Sequence, residues 1–566
     1  MMRQRLVPAA ALLMAFYAGG SARAEPFFAE SRSADSISRH ALLELSFSHD
    51  GNYENKFHDV SLDAVFTSPS GTRRRVKGFY YGGDQWKVRF RPDEPGRWAY
   101  TYVMVGRDGF QRQGDGTFIS TPGDEAGPVR LNPRNPFRWV FANGSPYFPV
   151  GLQDCFNARG DRLSDRTIDG GEGREGGRRI SPDEYFSTYG RAGFNLLRFS
   201  QRNCSYSLFD DLDRYRRRES EATDELLSLA RKNGFRVMFG FFGAHGNWGA
   251  EDRFRRVLRR WIERAVGGRA EAILTPEDRE TVAKEQRFID YAVARWGVYV
   301  DFWELLNERK ALDEWTTMMA EYVRSIDPDG KPITTSWEKP RLRAIDINAP
   351  HWYESESESL SDLRVHELAS EWKEAGKPVI VGEQGNTGMN WDPRSGLRMR
   401  IRAWTAMFEE ITLVFWNTSW SKAGVYYGRY RAGAVANIYL GPEERGYIRV
   451  LQEFSSRLDP DVRMVAVKTS SPARVRAYGL ASGSVVGAYL HHFEDHVSAV
   501  EGVKIALDVP ATGGSSEALV GEWIDPATGD VLARVEISPG RRTLDVPPFR
   551  VDLALLISSP PKGGRP

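Results

Sequence analysis

Phe302-Trp303-Glu304-Leu305-Leu306-Asn307-Glu308 and Pro378-Val379-Ile380-Val381-Gly382-Glu383-Gln384-Gly385 are the two stretches that decide how this chain folds. Each is a short apolar run that breaks at its C-terminal end into polar residues, a carboxylate among them. A run of about four to eight apolar residues bounded in this way reads as a strand buried on both faces, the condition of a parallel sheet. Working outward, further runs appear at Phe148–Leu152, Asn195–Phe199, Arg236–Phe241, Ile333–Ser336, Ile347–Trp352 and Leu413–Trp416; with Val300–Leu305 and Val379–Gly382 they make eight. Helical segments separate them. Ser181-Pro182-Asp183-Glu184 is a capping box with proline at the first helical position, and Asn233-Gly234 closes the segment before the third strand. Eight strand-helix units between residues 130 and 460 predict one (β/α)8 barrel.

On both sides of the barrel the pattern changes to period 2. Residues 39–122 alternate through Leu42–Phe47, Val60–Phe66, Trp86–Phe90 and Trp98–Val103, with turn clusters such as Pro69-Ser70-Gly71 between them, which predicts a β-sandwich of immunoglobulin-like size. Residues 461–558 return to short strands, at Val475–Leu480, Val485–Leu490, Lys504–Val509, Val531–Val535 and Leu553–Ile557, and predict a second β-sandwich. The Pro/Gly-rich tail 559–566 is expected to be disordered. At the other end, Arg3 and Arg5 precede an apolar run from Leu6 to Ala18 and the small-residue site Ala22-Arg23-Ala24. Residues 1–24 therefore read as a secretory signal peptide, and the mature protein is expected to be periplasmic or extracellular. No later stretch offers the roughly 18 apolar residues of a membrane-spanning helix.

With 77 basic and 76 acidic residues the chain has no global field to draw it to nucleic acid, so such partners are not expected; its oligomeric state is open. Two cysteines, Cys155 and Cys204, are too few for a disulfide framework or a thiolate zinc site. They follow neighbouring strands, and in an oxidising compartment they are expected to form a disulfide.

Reactive groups in such a barrel sit at the C-terminal ends of the strands. There the sequence places Arg198 on the second strand, Asn307 and Glu308 after the fourth, His351 and Tyr353 on the sixth, Glu383 after the seventh and Trp416 on the eighth. In this set the barrel resembles the clan A glycoside hydrolases, which carry Asn-Glu after strand four, a second Glu after strand seven, Arg on strand two, His-x-Tyr on strand six and Trp on strand eight. The flanking modules, through Phe79-Tyr80-Tyr81-Gly82-Gly83-Asp84-Gln85-Trp86-Lys87-Val88-Arg89-Phe90, are similar to those of a bacterial group that joins an N-terminal β-sandwich of unknown function to a cellulase-like barrel and a C-terminal β-sandwich. The resemblance implies cleavage of O-glycosidic bonds in a poly- or oligosaccharide with retention of configuration, Glu308 as general acid/base and Glu383 as nucleophile.

Such chemistry needs two carboxyl groups about 5–5.5 Å apart, one ionised and one protonated, and no cofactor or metal. Within this scheme Asn307 would bond the sugar 2-hydroxyl, Arg198 would keep Glu383 ionised and Trp416 would carry the reacting sugar. Tyr353 is expected against the nucleophile, and His351 against the acid/base or the substrate. Glu304 shares parity with Glu308 and reads as a deeper, buried structural partner of Arg198 or of another polar group. Gln153, Asp154, His245, Asn247 and Trp248 lie at the rim, where Asp154 and His245 are taken as substrate contacts. The insert from Asp154 to Arg179 reads equally as a lip of the cleft or as a disordered surface loop, the Arg253–Arg264 segment as an amphipathic outer helix, and the acidic loop Glu354–Asp362 as solvated. Two other activities fit the same pattern, a transglycosylase and a carbohydrate-binding scaffold on a degenerate barrel.

Overall fold

The computed structural model describes residues 27–154, 156, 163–165, 178–201, 205–243, 274–336, 338–387, 394–419, 421–422, 425–426, 437–438, 440–511 and 519–559. Its centre is an eight-stranded parallel sheet: β1 (Gly151–Gln153), β2 (Leu196–Ser200), β3 (Arg236–Phe242), β4 (Phe302–Asn307), β5 (Ile333–Ser336), β6 (His351–Tyr353), β7 (Ile380–Gly385) and β8 (Thr412–Trp416). The strands run β5-β4-β3-β2-β1-β8-β7-β6 around a nearly closed barrel. At the seam between β5 and β6 the Asp346 N–H donates to the Ile333 carbonyl at 2.8 Å, and Thr334 Oγ1 donates to the Ile347 carbonyl at 2.8 Å. The sequence ranges for the first and sixth strands begin too early. Pro149 and Pro350 stand inside them, and a proline has no N–H to give to a ladder, so the continuous strands start just beyond each, with Asn348 meeting Val379 only as an isolated bridge.

Helices α1 (Pro182–Arg191), α2 (Arg217–Lys232), α3 (Arg279–Trp296), α4 (Asp313–Ile326), α5 (Ser361–Trp372), α6 (Ser395–Phe408) and α7 (Pro442–Ser455) cover the outside. Ser181 caps α1 as read, its hydroxyl accepting from the Glu184 N–H at 3.1 Å. Among the described residues β5 is followed by turns and no helix, one unit short of the strict alternation that the sequence suggests.

The base of the barrel is apolar. Leu196, Met238, Phe302, Ile347, Ile380 and Val414, from six strands or their approaches, pack together with Val129, Trp139 and Tyr147 of a small three-stranded sheet (Val129–Asn132, Asn135–Phe141, Pro146–Tyr147). Trp139 stands edge-on to Phe302, ring centres 5.0 Å apart. This sheet plugs the N-terminal mouth and leaves only the C-terminal mouth for function.

Two separate β domains flank the barrel. Before it, a four-stranded and a five-stranded sheet enclose a core containing Leu45, Phe66, Trp86 and Trp98; after it, a six-stranded and a three-stranded sheet enclose Val486, Ile505, Trp523 and Leu555. Both dock on outer helices. Arg89 of the first donates to Asp224 on α2 and to the Arg295 carbonyl on α3, each at 2.8 Å. In the second, Asp552 accepts from Arg400 on α6 at 2.9 Å, and Tyr489 stacks on Trp404.

One expectation is overturned here. The acidic loop after β6 is not a solvated run, because cations of α6 and of the C-terminal domain neutralise it. Glu356 pairs with Arg402, Glu358 with Arg394 at 3.2 Å, and Asp362 takes Arg476, Tyr478 and His491. Among the described residues only the partner of Glu354, Arg364 at 2.9 Å, is close in sequence; the run looks solvated because its other counter-ions lie far away along the chain.

Candidate active site

Simple alternation would aim Glu304, Leu306 and Glu308 the same way. The structure breaks that alternation. Between Glu304 and Asn307 the register of β4 against β5 shifts, Glu304 pairing with Thr334 and Asn307 with Ser336, so three steps on one strand match two on the other. A similar shift separates Val381 and Gln384 on β7. Such bulges re-aim side chains near sites of chemistry. Here Leu306 turns to the outer core, and Asn307 joins Glu304 on the inside. Glu308, one residue past the strand, has a left-handed backbone (φ 50°), a conformation that a residue with a side chain adopts at a cost.

Arg198 is the hub. Fully buried on β2, it donates to Glu304 Oε1 at 2.6 Å and Oε2 at 3.0 Å, to Glu383 Oε1 at 2.7 Å, to Asn307 Oδ1 at 2.6 Å and to Gln153 Oε1. Ser336 Oγ adds a bond to Glu304 Oε1 at 2.5 Å. Burial works against the guanidinium charge, but Glu304 and Glu383 outweigh it and push its pKa above the ordinary arginine value. Glu304 is thus the deep partner of Arg198.

Glu383 keeps its charge in a buried place. Desolvation pulls its pKa upward; His351, Arg198 and the Tyr353 hydroxyl outweigh that and hold it below the usual glutamate value. Its Oε1 accepts from Arg198 and from Gln153 Nε2 at 3.0 Å, and its Oε2 accepts from Tyr353. Burial, with Glu383 beside it, raises the Tyr353 pKa well above normal, so Tyr353 remains an O–H donor. His351, paired in register with Glu383 across β6 and β7, lies 2.8 Å from Glu308 Oε1 and 3.6 Å from Glu383 Oε2 through Nδ1. Glu308 is half exposed at the mouth, whereas Glu383 is 4 % exposed. Carboxylate oxygens of the two lie within 4.8 Å of each other.

The Asn307 Oδ1 is taken by Arg198, which leaves its buried Nδ2 without an acceptor among the described residues. The indole N–H of Trp416 is likewise buried and without one. These are groups that a substrate could satisfy, since an unmet buried donor is costly.

The structure does not gather every candidate. Asp154 is tied into the packing between β8 and α1: it is 1 % exposed, and its Oδ2 accepts from Tyr185 on α1 and from Asn417 Nδ2 at 3.1 Å. A carboxylate followed by a long insert reads in sequence as a rim group, and only packing shows that it ties helix to strand. His245, Asn247, Trp248, Cys155, Cys204, residues 1–24, the Arg253–Arg264 segment, most of the insert after β1 and most of the tail lie outside the described residues, so the expected leader, outer helix and disulfide do too. Gln153 was legible only as a rim residue, because no sequence pattern points its amide at residues 198 and 383.

Glu308, His351 and Glu383 also form a group of the size that holds a metal ion, where spacing along the chain suggested none. The donor set fits a metal poorly. Both oxygens of Glu383 already accept hydrogen bonds, and a dication there would stand against the Arg198 charge.

Residues 36–104 match a family described as a domain of unknown function (DUF5060). No curated protein matches the chain. A solved structure from Bacteroides vulgatus ATCC 8482, provisionally described as a glycoside hydrolase, aligns over 93% of this chain and all of its own, with TM-score 0.61 and 17% identity. At that identity the likeness is one of fold. Two looser alignments are to a family 39 glycoside hydrolase from Bacteroides cellulosilyticus WH2 (TM-score 0.44, 12% identity, 89% of this chain and 96% of the other) and to a family 30 endoxylanase from Clostridium papyrosolvens C71 (TM-score 0.41, 12% identity, 73% and 100%).

Proposed function

We propose that this protein is a retaining glycoside hydrolase acting on a poly- or oligosaccharide, exported from the cell, with Glu383 as nucleophile and Glu308 as general acid/base. The observation that carries the reading is the approach of their carboxylate oxygens to within 4.8 Å. A retaining pair is spaced at about 5–5.5 Å between carboxyl groups, whereas an inverting pair stands roughly 6.5–9.5 Å apart to admit a water. The unequal environments support the division of labour. Glu383, held ionised in a buried place by Arg198, Tyr353 and His351, suits attack; Glu308, open at the mouth and beside His351 Nδ1, suits proton exchange.

In the first step Glu383 attacks the anomeric carbon, the glycosidic bond breaks, and the leaving oxygen takes the proton of Glu308. In the second, Glu308 removes a proton from water, whose oxygen displaces Glu383 and restores both carboxyl groups. The free Nδ2 of Asn307 would bond the sugar 2-hydroxyl, a contact that strengthens toward the oxocarbenium-like transition state. Trp416 would floor the sugar.

The test is a panel of polysaccharides and aryl glycosides with products read by mass and by NMR. The expected first product has retained configuration, and a 2-deoxy-2-fluoro glycoside of the active sugar should label Glu383. A first product of inverted configuration would remove Glu383 as nucleophile. Turnover of no panel member by folded protein would favour a carbohydrate-binding scaffold.

A further inference from the structure

The amide of Gln153 has only one possible orientation. Its Oε1 accepts from Arg198 Nη1, a group that can only donate, so Nε2 must be the end that donates to Glu383 Oε1 at 3.0 Å. That same Nη1 donates to Glu383 Oε1 at 2.7 Å. Gln153 Nε2, Glu383 Oε1 and Arg198 Nη1 therefore close a small buried ring at the end of β1, and Gln153 is 1 % exposed. Glu383 Oε1 carries two donors in this ring. Among the described residues Oε2 carries one, Tyr353, and it is the oxygen 3.6 Å from His351 Nδ1, on the side of Glu308.

We infer that Gln153 is a positioning residue that anchors Glu383 through Oε1, so that Oε2 forms the bond to the anomeric carbon. This rests on the glycosidase reading and deepens it. A lone pair of Oε2 makes the C1–Oε2 bond as the C1–O bond to the leaving group breaks, and that oxygen takes its proton from Glu308. Oε1 becomes the carbonyl oxygen of the glycosyl ester, still accepting from Gln153 and Arg198. When water attacks C1 and gives its proton to Glu308, the C1–Oε2 electron pair returns to the carboxylate, and the same two donors meet the returning charge. Gln153 thus favours the ionised state of Glu383 and assists both steps, without touching the sugar.

Two variants test this. Gln153→Leu removes the donor, and Gln153→Glu keeps an acceptor for Arg198 but sets a second carboxyl group against Oε1. The first readout needs no substrate: titration of the Glu383 carboxyl by NMR in protein labelled with carbon-13 at glutamate Cδ, with the resonance identified by its loss in Glu383→Gln. Removing a donor to the charged form raises a carboxyl pKa, and a like charge raises it further. The midpoint should move up in Gln153→Leu and more in Gln153→Glu, while thermal melting shows that each variant folds. If Gln153→Leu does not fold, Gln153→Glu, nearly the same in shape, carries the test. The second readout, with an aryl glycoside that the wild type turns over, is the acid limb of kcat/KM, which should move up in the same order. Gln153→Leu should also slow formation and breakdown of the intermediate, each by roughly 10–100-fold, the loss expected for one hydrogen bond to a charged group. An unchanged Glu383 midpoint in folded variants overturns the inference even where the glycosidase reading stands. Absence of turnover in the wild type with a shifted midpoint overturns the glycosidase reading and leaves the anchoring of Glu383 intact.

Discussion

At the base of the barrel Leu196, Phe302 and Ile380 meet Trp139 in a dry plug; a few residues further along β2, β4 and β7, Arg198, Glu304, Asn307 and Glu383 meet in a buried web of charge. The strands are the same and the solutions to burial are opposite. The base lowers free energy by removing apolar surface from water, roughly 25 cal/mol per Å2. At the top, charges stripped of water are compensated by one another, and such networks often break even or cost stability compared with apolar packing. The contrast teaches where this protein keeps its stability and where it spends it, and substitutions at the two ends should fail in different currencies.

The largest effect is expected from Glu383→Ala. It should lower kcat/KM on an active aryl glycoside by about 10^4-fold or more while the unfolding free energy changes by no more than about 1 kcal/mol, because Arg198 keeps Glu304. A comparable loss of stability would mean that the two ends are not divided in this way. Phe302→Ala should do the reverse. Losing a buried ring against Trp139 should cost about 3–5 kcal/mol in a denaturant melt, with turnover per folded molecule nearly unchanged.

Arg198→Met sharpens the comparison, since it puts an apolar side chain from the base into the top. As the proposed nucleophile Glu383 would have to be ionised, and its pKa lies below the ordinary value with Arg198 among the causes, so activity is expected above that depressed pKa and its loss as pH falls through it. Without the guanidinium the pKa rises and the acid limb of the kcat/KM profile moves to higher pH. An acid limb that stays where it was would detach Arg198 from the ionisation of Glu383.

Asp362→Asn should act more gently. It weakens the hold of Arg476 and His491 on the loop that follows His351 and Tyr353, and a loss of roughly two- to tenfold in kcat is expected, the worth of one ordinary hydrogen bond. The smallest effect should come from a chelator. Dialysis against EDTA should leave turnover at its original rate, and a loss restored by one divalent ion would turn the Glu308, His351 and Glu383 group into a metal site.

Much of this arrangement was legible in the chain. Apolar runs ending in polar residues gave the barrel, and Arg198, Glu308, His351, Tyr353 and Glu383 come together at its mouth. The failures have physical causes. Pro149 and Pro350 shorten strands that hydropathy alone extends. The Glu354–Asp362 loop looked solvated because Arg402 and Arg476 are distant in sequence. Asp154 looked like a rim group until Tyr185 and Asn417 were seen to close on it.

Side-chain chemistry and hydrophobic period are local properties, so the order of residues by itself determined the number of strands, the layers around them and which acids stand at strand ends. Aim is not local. Whether Leu306 or Asn307 faces inward depends on a one-residue register shift against β5, and whether Gln153 donates to Glu383 depends on which of its ends Arg198 claims. A bulge and an amide orientation are settled by hydrogen bonds to strands far along the chain, and only the closed barrel brings those partners within reach.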